Sequence, residues 1–193
     1  RSDLCRPDAR EFCRRMMAQH ASTKERLPLL DMFYQDTLAG EAPLRSIVDV
    51  ACGLNPLALA WMPAAEDVEY IACDIYTDMV DFLNRFFAHF GVRGRAFVRD
   101  LTATVPDAPA QVALALKTIP CLEQLDKSIA PRLLDGLRAE TLLVSFPARS
   151  LGGRSKGMPE FYEAHLQDLL QDKEWRVQKF EYSTELAFVI KKL

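Results

Sequence analysis

With 193 residues, 49 % of them apolar, the chain can bury the core of one large domain, or of one domain with an extension, which excludes a disordered tail. A formal net charge of −3 gives no global sign of a nucleic-acid binder. No run approaches the roughly 18 to 20 consecutive apolar residues that span a bilayer, and no basic-then-apolar leader opens the chain, so a soluble cytoplasmic protein is expected.

Residues 1–15 carry five arginines against three acids, which from charge alone is a solvated face. Residues 8–19 set Phe12, Met16 and Cys13 on one side and arginines on the other, predicting an amphipathic helix. The segment H-A-S-T-K-E-R-L follows at 20–27. Ser22 with Glu25 three positions on reads as a capping box, in which the serine oxygen accepts an early helical N–H and the glutamate reaches back. That predicts a second helix running to about Thr37. Residues 1–40 therefore form an N-terminal helical segment. Because the chain begins at Arg1, this segment is expected to be the remnant of a longer N-terminal domain.

After Gly40 and Pro43 the pattern becomes an alternation of strand and helix. Strands are predicted at 46–50, 69–74, 95–99, 111–116 and 141–146, with helical stretches at 56–61, 78–90, 121–137 and 159–170. The runs 175–182 and 186–191, joined through Ser183-Thr184-Glu185, predict a terminal hairpin. Short apolar strands alternating with helices imply a parallel sheet covered on both faces, since each crossover packs back on the sheet. Five such strands and a hairpin are the inventory of a Rossmann-like α/β methyltransferase fold. Its sheet has seven strands, mostly parallel, with a C-terminal antiparallel hairpin; here N-terminal helices precede it. Five cysteines, an odd number without a C-x-x-C pair, and three scattered histidines argue against both a disulfide framework and a metal, and none is expected.

Between the first strand and the stretch that follows stands D-V-A-C-G-L-N-P-L-A-L-A-W-M (49–62), with one glycine, Gly53. In an open doubly wound sheet the ligand lies beyond the carboxyl ends of the strands, and a glycine there permits close approach and φ > 0. G-x-G-x-x-G is absent, which disfavours a dinucleotide, and so is the triphosphate loop G-x-x-x-x-G-K-[ST]. S-adenosylmethionine carries no phosphate and needs fewer glycines. Asp74 ends the second strand 21 residues past Gly53, about where an acid accepts bonds from two ribose hydroxyls, and Asp100-Leu101 ends the third, placed for an adenine amino group.

Four segments then occur in one order: H-A-S-T-K-E-R-L (20–27), D-V-A-C-G-L-N-P-L-A-L (49–59), L-K-T-I-P-C-L-E (116–123) and S-F-P-A-R-S-L-G-G-R-S-K-G-M (145–158). Together they resemble the aminoglycoside-resistance 16S ribosomal RNA methyltransferases of the Arm/Rmt type, over about residues 16–193. The resemblance makes 41–193 a methyltransferase domain. It implies methyl transfer from S-adenosylmethionine, with S-adenosylhomocysteine as product, to N7 of a guanine in the decoding site of the 30S subunit, where many aminoglycosides bind. It further implies that Arg26 binds the methionine carboxylate, which a planar guanidinium matches bidentately. Asp74 would take the ribose and Asp100 with Leu101 the adenine, while His20, Ala21, Ser22, Ala51, Gly53, Ile75 and Leu116 line the same pocket. Lys117 and Glu123 fall at positions the family treats as functional, in positioning roles. Arg149, Arg154 and Lys156, on a glycine-bearing loop, would reach RNA phosphates. Two departures stand out: the family has a long helical N-terminal region where about 19 residues precede His20 here, and usually an aliphatic residue in place of Cys121.

Guanine N7 carries a lone pair and no proton, so the reaction needs alignment rather than a general base, and no N-P-P-Y box is present or required. Alternatives remain open at this level. Arg26 and Lys117 also read as surface cations, the former paired to Asp31 or another acid. Cys121 after Pro120 also reads as the thiolate nucleophile of a cytosine methyltransferase, or as a small apolar residue starting a helix. The whole chain also reads as a truncated domain that binds cofactor without docking on the ribosome, or as a small-molecule methyltransferase. A monomer is expected.

Overall fold

The computed structural model describes residues 2–148 and 157–192. The chain opens with α1 (Pro7–Met17), α2 (Ala21–Arg26) and α3 (Leu30–Leu38), and then enters the sheet at β1 (Leu44–Val50) and β2 (Ala64–Asp74). Helix α4 (Thr77–His89) leads to β3 (Arg93–Val98) and β4 (Ala110–Leu116). Next come the short α5 (Ile119–Glu123), α6 (Ile129–Gly136), β5 (Ala139–Pro147), α7 (Met158–Leu170) and the hairpin β6 (Arg176–Glu181) and β7 (Glu185–Lys191).

The seven strands form one sheet in the order β3-β2-β1-β4-β5-β7-β6. The first five are parallel; β7 runs antiparallel between β5 and β6. The order reverses between β1 and β4, so the crevice beyond their carboxyl ends is where a ligand belongs. Strand β4, A-Q-V-A-L-A-L, shows why the sheet is covered on both faces. Val112, Leu114 and Leu116 enter one core with Phe33, Tyr34, Phe86 and Phe87 from α3 and α4. Ala113 and Ala115 enter the other, with Leu133 and Leu134 of α6 and Leu166 of α7. Successive side chains point to opposite faces of a strand, so a doubly covered strand is apolar throughout. β6, R-V-Q-K-F-E, is mostly exposed, and its charges suit an outer edge.

All seven predicted strands form. The helices need three corrections. The second predicted helix is two, α2 and α3, separated by a 3-10 turn at Leu27–Leu29 that contains Pro28, which has no N–H to continue the ladder. The capping box does not form: α2 starts at Ala21 behind His20, and no side chain caps it. Ser22 Oγ instead bonds His20 Nδ1 at 3.1 Å, and Glu25 reaches Lys117 across the fold. The predicted helix 121–137 is also two, α5 and α6. Asp126 breaks it by accepting from both the N–H and the hydroxyl of Ser128.

Candidate active site

The site begins in the turn after β1. Ala51 and Gly53 both adopt left-handed backbone, at φ 48° and 50°. The Cys52 N–H donates to the Cys73 carbonyl, and the Gly53 N–H donates to Asp74 Oδ2 at 2.8 Å. The other carboxylate oxygen of Asp74 accepts the Ile75 N–H at 2.8 Å. Asp74 is thus fixed at the tip of β2 by backbone donors. Oδ1 also accepts the Tyr76 N–H at 3.4 Å, and Oδ2 keeps lone-pair capacity for a hydroxyl.

Gly53 has a concrete neighbour. A Cβ built there would lie 2.7 Å from His20 Cε1. The close approach that requires glycine is therefore to the imidazole that ends the α1–α2 connection, in addition to the positive φ. His20 is held below the ordinary histidine range by burial and by the Arg26 charge, with the Asp74 carboxylate pulling the other way.

A cavity of about 530 Å³ opens here, beyond β1, β4 and β5. His20, Ala21 and Ser22 form one wall, Ala51 and Leu116 another, and Lys117 lies among them. Lys117 is a non-glycine residue at φ 57°, 9 % exposed. Its N–H donates to the Ser145 carbonyl, and its ammonium meets Glu25 Oε2 at 2.5 Å and Glu185 at 3.6 Å. It is no surface lysine. Cys121 also lines the cavity, and its thiol donates to the Lys117 carbonyl.

Arg26 is paired to an acid, as one sequence reading had it, but that acid is Glu185 and the arginine is buried, not at the surface. It is 1 % exposed, donates through Nε and Nη2 to Glu185, and through Nη1 to Asn55 Oδ1 at 2.9 Å. Asp31, the other candidate, pairs with Arg14 instead. Burial alone would lower the Arg26 pKa, and the Glu185 carboxylate more than offsets it, so the charge is retained. The same network explains the polar residues of the glycine-turn motif. Asn55 donates to Asp49 Oδ2, as does the Tyr70 hydroxyl, while the Tyr34 hydroxyl donates to Asn55 Oδ1. Burial pushes Asp49 up to about 7 against the bonds from Asn55 and Tyr70. Its Oδ1 has no partner among the described residues.

Glu185, fully buried and also accepting from Ser145 Oγ at 2.6 Å, escaped sequence reading. The available signal was an acid heading the apolar run L-A-F-V-I, where a solvent-facing residue has no place. Tyr76 escaped as well. It follows Asp74-Ile75, and both Ile75 and Tyr76 are more than half exposed, two adjacent apolar groups at the mouth of the strand tips.

The remaining predicted residues spread outward. Leu101 is buried; Asp100 is exposed, accepts from the N–H and hydroxyl of Thr102, and is lowered chiefly by those bonds. Glu123 turns away from the cavity: both its oxygens meet His165 Nε2 of α7, at 2.8 and 3.0 Å. Arg149, Arg154 and Lys156 lie outside the described residues. Among the described residues no group of three or more His, Cys, Asp or Glu is arranged to hold a metal, and no helix is long and apolar enough to cross a membrane.

A doubly covered sheet of order 3-2-1-4-5-7-6 with its crevice beyond β1 and β4 defines the class, a Rossmann-like methyltransferase fold. Comparison with known proteins narrows it. Residues 5–189 match the family model described as ribosomal RNA methyltransferase (FmrO), and the chain belongs to that family. It is 38 % identical over 179 residues to a 16S rRNA (guanine(1405)-N(7))-methyltransferase of Micromonospora rosea, covering 93 % of this chain and 65 % of the relative. It is 40 % identical over 180 residues to the enzyme of that name from Frankia casuarinae, covering 92 % and 63 %. The crystal structure of the 16S rRNA methyltransferase RmtF in complex with S-adenosyl-L-homocysteine superposes with a TM-score of 0.81 at 34 % identity, covering 92 % of this chain and 67 % of that one. The chain thus spans about two thirds of the length of the relatives it matches.

Proposed function

We propose that this chain transfers the methyl group of S-adenosylmethionine to N7 of a guanine in the decoding site of 16S ribosomal RNA, acting as a monomer on the 30S subunit in the cytoplasm and so conferring aminoglycoside resistance. The observation that carries the reading is that Ala51 and Lys117, just past two different strand ends, line one cavity at the reversal of strand order, with Asp74 of a third strand end bonded to the Gly53 N–H of the adjoining turn. The names of the matching relatives point the same way.

The residues present fit the cofactor. The Asp74 carboxylate accepts from the ribose hydroxyls, Ile75 and Tyr76 flank the sugar and base, and Asp100 with Leu101 receives the adenine. The wall of His20, Ala21, Ser22 and Ala51 takes the methionine part, and Leu116 closes it. Arg26 holds Asn55 and Glu185 in place beneath that wall, and any contact it makes to the methionine carboxylate comes from a guanidinium already anchored on Glu185. When bound, the cofactor supplies an electrophilic sulfonium methyl. No residue has to remove a proton from guanine N7, so the protein's task is alignment, which can account for roughly 7–11 kcal/mol of a barrier. Glu123 acts from behind, tying α5 to α7 through His165. Arg149, Arg154 and Lys156 meet RNA phosphates.

The test is to incubate the chain with 30S subunits and radiolabelled S-adenosylmethionine and to map the modified nucleotide. Label as 7-methylguanine at one decoding-site position is expected. No label on RNA, with cofactor still binding, refutes the reading in favour of a binding module or a small-molecule enzyme.

A further inference from the structure

The cofactor assignments leave Glu25 without a role. It projects from α2 onto the cavity wall and meets Lys117, which arrives from the end of β4. The two side chains differ in exposure: 8 % for Lys117 and 40 % for Glu25. Glu25 Oε2 takes the ammonium, while Oε1 has no hydrogen-bond partner among the described residues. Both ends of the pair are fixed. The Glu25 carbonyl accepts from Thr184 Oγ1 at 3.0 Å, and Glu185 backs the Lys117 ammonium. The cavity therefore presents one strong donor and one strong acceptor side by side, facing apolar groups of Pro147, Met158 and Tyr162.

We propose that the Lys117–Glu25 pair reads the acceptor base, with the ammonium donating to guanine O6 and the carboxylate accepting from N1–H and the adjacent 2-amino group. This deepens the function proposed above and rests on it. Guanine presents an acceptor at position 6 next to a donor at N1, the complement of the pair. Adenine presents a donor at position 6 next to an acceptor at N1, so both contacts become repulsive or unmade. A base taken out of its stack is read on this edge and held between apolar or aromatic groups. N7 takes no part in these bonds and stays free to face the methyl group. A site built to hydrogen-bond its substrate rejects an analogue with the wrong pattern far more strongly than an apolar pocket does, because its buried polar groups are left unpaired.

The experiment uses 30S subunits carrying either guanine or adenine at the target position, with the parent chain, Glu25→Ala and Glu25→Gln, and measures methyl incorporation beside S-adenosylmethionine affinity. For the parent, kcat/KM on adenine subunits is expected at least about 100-fold below that on guanine. Glu25→Ala should lose about 10- to 100-fold on guanine subunits, with cofactor Kd within about threefold of the parent. Glu25→Gln, which keeps an acceptor oxygen, should recover part of the loss. The inference is overturned if the parent labels adenine subunits as fast as guanine ones, if Glu25→Ala matches the parent on guanine, or if its loss equals a loss of cofactor affinity, which would make Glu25 only the counter-charge of Lys117. A parent that labels neither subunit sinks the proposed function, and this inference with it; a parent active on guanine beside an equally active Glu25→Ala sinks the inference alone.

Discussion

Glu185→Gln isolates the buried charge network. Arg26 and Glu185 are 1 % and 0 % exposed, and the carboxylate accepts from Arg26 Nε and Nη2 and from Ser145 Oγ. The amide removes the negative charge and leaves the Arg26 guanidinium buried, and it puts N–H groups where an acceptor is needed. Breaking one side of a buried pair costs about 3–5 kcal/mol, since the surviving charge is uncompensated. That is a large part of the about 5–15 kcal/mol by which a domain is stable. At roughly 2–4 °C per kcal/mol for a chain of this size, Tm falls by roughly 6–20 °C. Urea unfolding followed by circular dichroism measures the loss directly. The double variant Arg26→Met/Glu185→Leu should unfold at a higher urea concentration than Glu185→Gln alone, because a buried pair replaced on both sides leaves no orphan charge. A Glu185→Gln protein within about 1 kcal/mol of the parent, or a double variant with simply additive losses, refutes the argument.

Gly53→Ala meets the His20 ring and a left-handed φ together, and should cost about 1–3 kcal/mol with weakened S-adenosylmethionine binding by calorimetry; adding His20→Ala removes the collision and should return part of the stability. Asp49 titrates upward on folding, from 3.8 to about 7. The fold therefore binds a proton that the unfolded chain has already released, and the stability this contributes is present below pH 4 and lost as pH rises through about 7. Urea unfolding of the parent and Asp49→Asn between pH 4.5 and pH 8 should show the difference moving in favour of the variant as pH rises; a constant difference would place the Asp49 pKa in its ordinary range. Cys121→Ser should retain methylation within about threefold, since no covalent adduct is needed at N7; complete loss would restore the thiolate reading.

The strands were legible because burial on both faces leaves a strand few choices: A-Q-V-A-L-A-L and T-L-L-V-S-F can hardly be anything else. The glycine turn was legible in type but not in reason. Spacing pointed to Asp74, and the Gly53 N–H does donate to that carboxylate, yet the contact that excludes a Cβ comes from His20, 33 positions earlier in the chain. The capping box failed for a related cause. Ser22 and Glu25 have the right types and spacing, but each has a stronger partner, and Lys117 lies 92 residues away from Glu25. Arg26 and Glu185 are separated by 159 residues. Local pattern carries propensity; a buried charge is decided by whichever opposite charge the topology brings beside it.

That topology also accounts for the strain at the site. Among the described residues the two non-glycine residues with positive φ are Ala51 and Lys117, and both line the same cavity. Conformations of this kind cost of order 1–3 kcal/mol each and persist only when their surroundings over-determine them. Here they do. The Ala51 turn is held on β2 through Cys52 to Cys73 and Gly53 to Asp74. Lys117 is held on β5 through Ser145, which also bonds Glu185, while its ammonium is shared between Glu25 and Glu185. The strained residues sit one step beyond the last parallel pairings, where the sheet can supply bonds but no longer dictates direction. The side chains thereby turn into the crevice instead of continuing the alternation of the strand, so the positions that cost the fold most are also those that build its chemistry.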